Sequence, residues 1–320
     1  MRSTGRARTA ALASVVLAAV VSGCAALQTR AVIDSPQGLP PEARVASVPF
    51  FPQARFQCGP AALAMALAWS GLSVTGEQMV PEVYTPGREG TLPADMVSAA
   101  RRHGRLAVPV GGLSGVLAEI SAGHPVIVFQ NLGLRVLPYW HFALAMGYDL
   151  DAGTISLHSG REAERTIGLA TFERTWTRAG GWALTVVPPG ILPATGSAVT
   201  IARAAVGLER AGHAAAARES YRAMVLRWPD DLAAWIGRGN TSYALGDLAA
   251  AEAAFRLASA LHPGNAAAWN NLAHVLGRRG QTAEAITAAR RAVDLAGSND
   301  APYRDTLNEL LRSRTVRENS

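Results

Sequence analysis

Two residues in this 320-residue chain have the types needed for nucleophilic chemistry, and they stand far apart in sequence. Cys58 opens the stretch Cys58-Gly59-Pro60-Ala61-Ala62-Leu63-Ala64-Met65, a run of helix formers that closes at Gly71. Pro near the first helical position and Gly just past the last match the asymmetry of helix ends, so the pattern predicts a buried helix with a thiol at its start. Unpaired N–H groups and the helix dipole favour negative charge there, which lowers a thiol pKa and makes a thiolate available as nucleophile. A lone cysteine is by default a small buried hydrophobe. The catalytic reading therefore needs a base, and His141 supplies one, inside the strand-like run Tyr139-Trp140-His141-Phe142-Ala143-Leu144. A histidine among apolar neighbours in a strand is ordinarily structural. Opposite a thiol at a helix start it becomes the group that takes the thiol proton and returns it to a leaving amine.

The elements that must position this pair follow from the pattern around them. The order, Cys on an early helix and His on a later strand, is the papain-like arrangement of the nucleophile–base pair. Upstream, Val45–Phe51 reads as a short strand entering the Cys58 segment, and Val80–Gly90, rich in Pro and Gly, reads as a loop near the site. Helices are expected over Pro93–His103, Leu113–Ala122 and, short, around Thr171–Trp176. Strands are expected over His124–Gln130, Tyr139–Asp149, Thr154–His158 and Trp182–Val187, with a turn at Asp151-Ala152-Gly153. Helices followed by an antiparallel sheet make this half an α+β domain.

Gln53 with Cys58-Gly59-Pro60-Ala61-Ala62, and then His141 followed, after five intervening residues, by Gly147-Tyr148-Asp149, resembles the double-glycine leader peptidase family of papain-like fold, best known from bacteriocin-processing transporters. The likeness covers roughly residues 45–188. It implies that Cys58 is the nucleophile, His141 the general base, and Gln53 the residue whose side-chain amide donates to the oxyanion beside the Cys58 N–H. Because Gln53 precedes Cys58 by five positions rather than the papain-like six, Gln57 stays an alternative. The family's third member, a carboxylate or amide that orients the imidazole, falls on His158 in an ungapped match and on Ser159 if one turn residue is added. Neither brings a negative charge. Asp149 and Asp151 are nearby but suit the turn. The remaining histidines, His103, His124, His213, His262 and His274, lack metal-ligand spacing, and no cofactor is expected.

The chain begins with Arg2, Arg6 and Arg8, then the apolar stretch Ala10–Val21, then Val21-Ser22-Gly23-Cys24. The apolar part is too short for a permanent bilayer span and reads as a secretory signal over residues 1–23. Its end resembles the bacterial lipobox, which implies cleavage before Cys24, acylation of its thiol and membrane anchoring through lipid. Ala25 and Ala26, with no Asp after the Cys, resemble the outer-membrane sorting pattern, so the expected location is the outer membrane, facing the periplasm. Residues 24–44, with Pro36, Pro40 and Pro41, are expected as a tether. With Cys24 used this way, Cys58 has no disulfide partner and the fold must stand without one.

From Ala198 a period of 34 residues appears. Ile201, Trp235 and Trp269 fall in register, as do Ala205, Gly239 and Ala273, and Gly212, Gly246 and Gly280, followed by Ala217, Ala251 and Ala285 and then by Tyr221, Phe255 and Ala289. This resembles the tetratricopeptide repeat, whose paired helices interlock small and large residues and break at Pro229 and Pro263. Three repeats with a capping helix over Asp300–Arg312 give a second domain, 198–312, after a peptidase domain at 45–190, with residues 313–320 as a tail. Such arrays present a concave face to a peptide or protein partner.

Composition limits the remaining classes. The formal charge is +6 and every basic residue is Arg, scattered among acids rather than gathered into a stripe, so no nucleic-acid surface is expected. No phosphate-binding glycine loop is present. The sequence therefore predicts a lipid-anchored cysteine peptidase acting on a peptide or protein, with a repeat module for a protein partner. A non-catalytic peptide-binding lipoprotein that keeps the groove is the alternative. Cys-Gly-Pro in place of Cys-Ser-Gly counts against a third reading, a cell-wall amidase.

Overall fold

A computed structural model describes residues 26–318 except 55, 298 and 299, with side chains as far as 315. The lipobox and Cys24 lie outside the described residues. The chain divides into two compact units, Met1–Met96 with Pro109–Thr185, and Val97–Val108 with Val186–Ser320. The architecture is an α+β half with an antiparallel sheet followed by an all-helical repeat half.

The first half begins with helix α1 (Leu27–Asp34) and strand β1 (Glu42–Arg44). Helix α2 (Cys58–Trp69) leads to α3 (Gly76–Val83) and the small hairpin β2 (Tyr84–Thr85) and β3 (Gly90–Thr91). Then come α4 (Pro93–Arg102), β4 (Leu106–Pro109), α5 (Gly112–Ser121), β5 (Val126–Asn131), β6 (Trp140–Asp149), β7 (Thr154–Ser159), β8 (Glu162–Gly168), α6 (Leu169–Thr177) and β9 (Ala183–Val187). The main sheet has the order β4-β9-β5-β6-β7-β8, and β1 joins β6 where β5 ends, with Glu42 opposite Asp149. Strand β6 is central: it pairs antiparallel with β5, placing Gln130 opposite His141, and with β7, placing Leu144 opposite His158. Alternate residues of these strands (Val126, Val128, Ala143, Ala145, Ile155, Leu157) share one core with Leu113, Val116 and Leu117 of α5 and Phe172 and Trp176 of α6. The residues between them, such as Ile127, Phe142 and Leu144, are buried as well, so β5 and β6 are covered on both faces, as the compact β-branched run of a central strand implied.

Three local expectations change. The segment foreseen as a tether over 24–44 is folded from Leu27 onward: Val32 enters the core, the N–H groups of Gln28 and Thr29 donate to the buried Glu173 carboxylate, and the Gln28 side chain accepts from Leu113 N at 2.8 Å. A carboxylate facing the open N–H groups of a helix start is stabilised there, and the pairing partner for a prolines-and-polars sequence comes from 145 residues downstream, where composition gives no hint of it. The strand foreseen at Val45–Phe51 lies instead at Glu42–Arg44. Val45 N still bonds Met146 O, but Ser47 takes a positive φ of 57° and turns the chain away. The loop foreseen at Val80–Gly90 contains the end of α3, which a full capping box at Thr75 and Gln78 starts, and the β2–β3 hairpin.

The second half contains α7 (Ala198–Arg210), α8 (Ala214–Arg227), α9 (Leu232–Ala244), α10 (Leu248–Leu261), α11 (Ala266–Arg278), α12 (Thr282–Ala296) and α13 (Ala301–Glu318). The register residues do what a repeat needs. A Cβ on Gly239 would lie 2.4 Å from the Phe255 ring, so only glycine lets α9 and α10 approach. Gly212, Gly246 and Gly280 hold φ near +80° at the turns inside each helix pair, a conformation glycine adopts without strain. Trp235 and Trp269, 34 residues apart, each donate their indole N–H to the carbonyl of the proline six residues earlier, Pro229 and Pro263. Glu252 joins Arg256 and Arg279 across two helix pairs. No helix among the described residues is long and apolar enough to cross a membrane.

Candidate active site

Helix α2 begins at Cys58 itself, so Pro60 is its third residue rather than its first. The missing proline N–H is one of the donors that a helix start leaves open in any case. Gln57 precedes the helix without capping it through its side chain. Every residue from Gly59 to Leu67 is buried, the all-round burial expected of a helix with no polar face. Gly59 is required at its position because a Cβ there would lie 2.4 Å from Thr91 of the β2–β3 hairpin. The Cys-Gly pair thus lets that hairpin close over the start of the helix, next to the sulfur.

Cys58 and His141 line the same cavity, of about 780 Å³, together with Gln53, Phe142, Thr91, Trp140 and Arg161. The amide of Phe142, the residue after His141, lies within hydrogen-bonding reach of the Cys58 sulfur, and with the N–H groups of Gly59 and Cys58 it favours the thiolate. Burial outweighs these three donors, and the thiol stays above its ordinary pKa. Burial likewise pushes His141 down from 6.5 to about 4, and the Arg165 guanidinium adds to the effect. His141 is 8% exposed. Burial thus favours the neutral form of both the thiol and the imidazole in this cavity.

Of the two residues offered for the third position, the structure brings Ser159 to His141: its Oγ is 2.8 Å from His141 Nε2. His158 is turned away, its Nε2 3.2 Å from Val48 O and its Nδ1 accepting from Glu164 N at 3.1 Å, with its ring 5.1 Å from that of Phe50. The alternation of side chains along β7 separates the two, since neighbours on a strand face opposite ways. Gln53 is buried and reaches both neighbours of the pair. Its Oε1 accepts from Gly160 N at 3.0 Å, its N donates to Gly160 O, and its Nε2 donates to Phe142 O at 3.4 Å. Gln57 lines a separate, smaller cavity with Thr75, Gly76 and Glu77.

The Val80–Gly90 segment, expected near the site, supplies Arg88, Glu89 and Gly90 to the cavity wall as part of the β2–β3 hairpin. Two contributors were not legible in the sequence, and one is Arg161 of the β7–β8 turn. Phe142 contributes through its backbone, which leaves no signal in residue type. The cavity also has an aromatic wall: Phe129 stacks on Trp140 at 5.3 Å and meets Phe142 at 4.5 Å across the β5–β6 pair.

The start of α2 and the central strand β6 thus line one cavity in an α+β domain with an antiparallel sheet, which is joined to a helical repeat array. The family described as Peptidase_C39 like matches residues 45–184, and tetratricopeptide repeat families match 203–266 and 254–287. The chain therefore carries a C39-peptidase-like domain followed by tetratricopeptide repeats. No curated protein matches the chain. Among solved structures, a C39-like peptidase from Bacillus anthracis is similar at 18% identity over 46% of this chain and 97% of its own, with a TM-score of 0.38. The first tetratricopeptide domain of human RPAP3 is similar at 20% identity over 38% and 96%, TM-score 0.37. The Yersinia enterocolitica type III secretion translocator chaperone SycD is similar at 16% identity over 37% and 88%, TM-score 0.35.

Proposed function

We propose that the chain is a cysteine peptidase that hydrolyses peptide bonds with Cys58 as nucleophile and His141 as general base. The observation that carries this reading is the shared cavity of the two side chains, with the far nitrogen of His141 on Ser159 Oγ. With Nε2–H donating to Ser159, Nδ1 is left to accept the thiol proton as sulfur attacks the scissile carbonyl. The carbonyl oxygen gains negative charge, and the Cys58 N–H and the second hydrogen of the Gln53 amide are the donors available to it. His141 then returns the proton to the leaving amine. A water, deprotonated by the same imidazole, releases the acyl group and restores the thiol.

In this reading Val21-Ser22-Gly23-Cys24 supports acylation of Cys24 and attachment to a membrane, the outer membrane facing the periplasm. The repeats support recruitment of a protein or peptide partner. A second reading, a peptide-binding lipoprotein that does not cleave, draws on a specific observation: His141 has no carboxylate on its far nitrogen and burial favours the neutral form of both members of the pair. The two separate by experiment. The purified chain is treated with a peptide-based electrophile and the adduct read on the Cys58 peptide by mass spectrometry, in parallel with His141→Ala. Labelling that exceeds that of a free model thiol and falls about 100-fold or more in the variant is expected of general-base help. Equal labelling of both proteins, with no cleavage of secreted peptides, leaves the binding reading.

A further inference from the structure

We propose that the β5–β6 hairpin is a second membrane contact, docking on the lipid headgroup region beside the N-terminal attachment. The inference rests on the lipid-anchored reading above. Between Asn131 and Trp140 the hairpin presents Leu132, Leu134, Val136, Leu137, Tyr139 and Trp140 to solvent, with Val136 90% and Leu137 75% exposed. It is not a loose loop. The Asn131 side chain accepts from Gly133 N and Tyr139 N at 3.0 Å and donates to Leu134 O, and Leu134 N bonds Leu137 O. The apolar side chains are thus held outward by an ordered backbone, in a segment whose one charge is Arg135. A contiguous exposed apolar tip marks an interaction site. Leucine and valine beyond a Tyr–Trp pair with a single cation, and no acid, is the composition suited to a headgroup boundary.

The chain's own path indicates the occupant. Helix α1 starts at Leu27, itself 70% exposed, and its first N–H groups are held by Glu173 of α6. Two residues further along α6, Thr175 Oγ1 accepts from Gln130 Nε2 at 2.7 Å, and Gln130 immediately precedes the hairpin base at Asn131. The start of α1 and the hairpin therefore share one end of the sheet. Cys24 stands two residues before Ala26, a reach of about 7 Å at most, so a lipid on Cys24 draws this end to the bilayer. A peptide in the cleft is the weaker occupant, because Tyr139 and Trp140 line the cavity but the outermost Val136 and Leu137 do not.

The test uses the full chain with Cys58→Ser and Val136→Cys, labelled at 136 with an environment-sensitive dye and placed in phosphatidylethanolamine–phosphatidylglycerol vesicles. A matched protein carries Asp151→Cys in the turn at the other end of the sheet. The expected result is a dye at 136 that spin-labelled lipid quenches and that is shielded several-fold from aqueous iodide, a dye at 151 that is open to iodide, and loss of the shielding on adding Leu137→Asp. A chain that floats with the vesicles and carries acylated Cys24, yet has a 136 dye as open to iodide as that at 151, overturns the hairpin contact and leaves the anchor standing. A chain with unmodified Cys24 that does not float overturns both. Shielding that appears only on adding a peptide assigns the hairpin to substrate and overturns the proposal as well.

Discussion

Replacing Ser159 by Asp tests whether the pair lacks only a charge. Cys58 lies above the ordinary thiol value of about 8.5 and His141 lies at about 4. With the thiol held up and the ring held down, the thiolate–imidazolium form is a minor state of the pair. A carboxylate in place of the Oγ, now 2.8 Å from Nε2, favours the protonated ring and raises its pKa. At an effective dielectric of 20 and a charge separation near 4 Å the attraction is about 4 kcal/mol, and burial of the new carboxylate reduces the net effect to a rise of about 1–3 units. The attraction within the sulfur–imidazole pair is common to both proteins and cancels in their ratio. The ion-pair population, and with it the alkylation rate of Cys58 by iodoacetamide at pH 6–7, should rise about 10- to 1,000-fold. The rate is read on the Cys58 peptide between pH 5 and pH 9, with circular dichroism confirming the fold. Ser159→Asn keeps a hydrogen-bond partner without charge and should stay within a few-fold of the parent. If Asp and Asn variants react alike, the missing charge is not what sets the thiol's reactivity, and the electrostatic argument fails.

The other expectations concern neighbouring parts of the molecule. Gln53→Ala should lower kcat for peptide cleavage about 100- to 1,000-fold, as loss of one oxyanion donor does, while leaving the iodoacetamide rate of Cys58 within a few-fold; equal losses in both assays would show that Gln53 acts only by holding Gly160 and Phe142 in place. His141 is held neutral by burial, with its pKa depressed from 6.5 to about 4. Its contribution to stability is complete above pH 6.5 and is lost as pH falls toward 4, by about 3 kcal/mol. His158, lowered chiefly by burial, adds in the same direction. Denaturant midpoints at pH 7 and pH 4 should converge in His141→Asn, and an unchanged pH dependence would contradict this assignment. In the repeats, Gly239→Ala places a Cβ against the Phe255 ring and should destabilise that half by about 1–3 kcal/mol, with partial rescue by Phe255→Leu in a thermal melt. No loss in the single variant would mean that the helix pair separates freely, against the packing described.

The parts of the fold that were legible in sequence are those whose signals are local. The 34-residue register could be read because small and large residues recur at matching positions, and contacts such as Trp235 with Pro229 and Trp269 with Pro263 recur with them. Strands β5 and β6 were legible because both faces are buried, which leaves a nearly continuous apolar run. The parts that escaped owe their structure to distant partners. Helix α1 forms on Glu173, β8 is a largely exposed outer strand (Glu162–Gly168) with no apolar alternation to mark it, and the β2–β3 hairpin is fitted over Gly59 by the absence of a side chain.

The site shows the same division at the level of single residues. Side chains that would react, Cys58, His141 and Gln53, carry their chemistry in their identity, and a likeness in sequence can point to them. Which of His158 and Ser159 meets the imidazole was not decided by residue type, since the histidine is the stronger partner in chemical terms. The strand decided it: β7 puts Ser159 on the side of His141 and sends His158 to Val48 and Glu164. The Ser159 hydroxyl orients the ring without charging it, and burial shifts both Cys58 and His141 toward their neutral forms. In the proposed peptidase that combination would make reactivity depend on what enters the cleft. A substrate that supplies negative charge near His141 would favour the protonated ring, and one without such charge would bind and be cut slowly. Substrate peptides that differ only in an acidic residue next to the scissile bond should therefore separate in kcat more than in KM. Equal separation in both would place the acid in ordinary binding contacts and remove the argument for substrate-assisted activation.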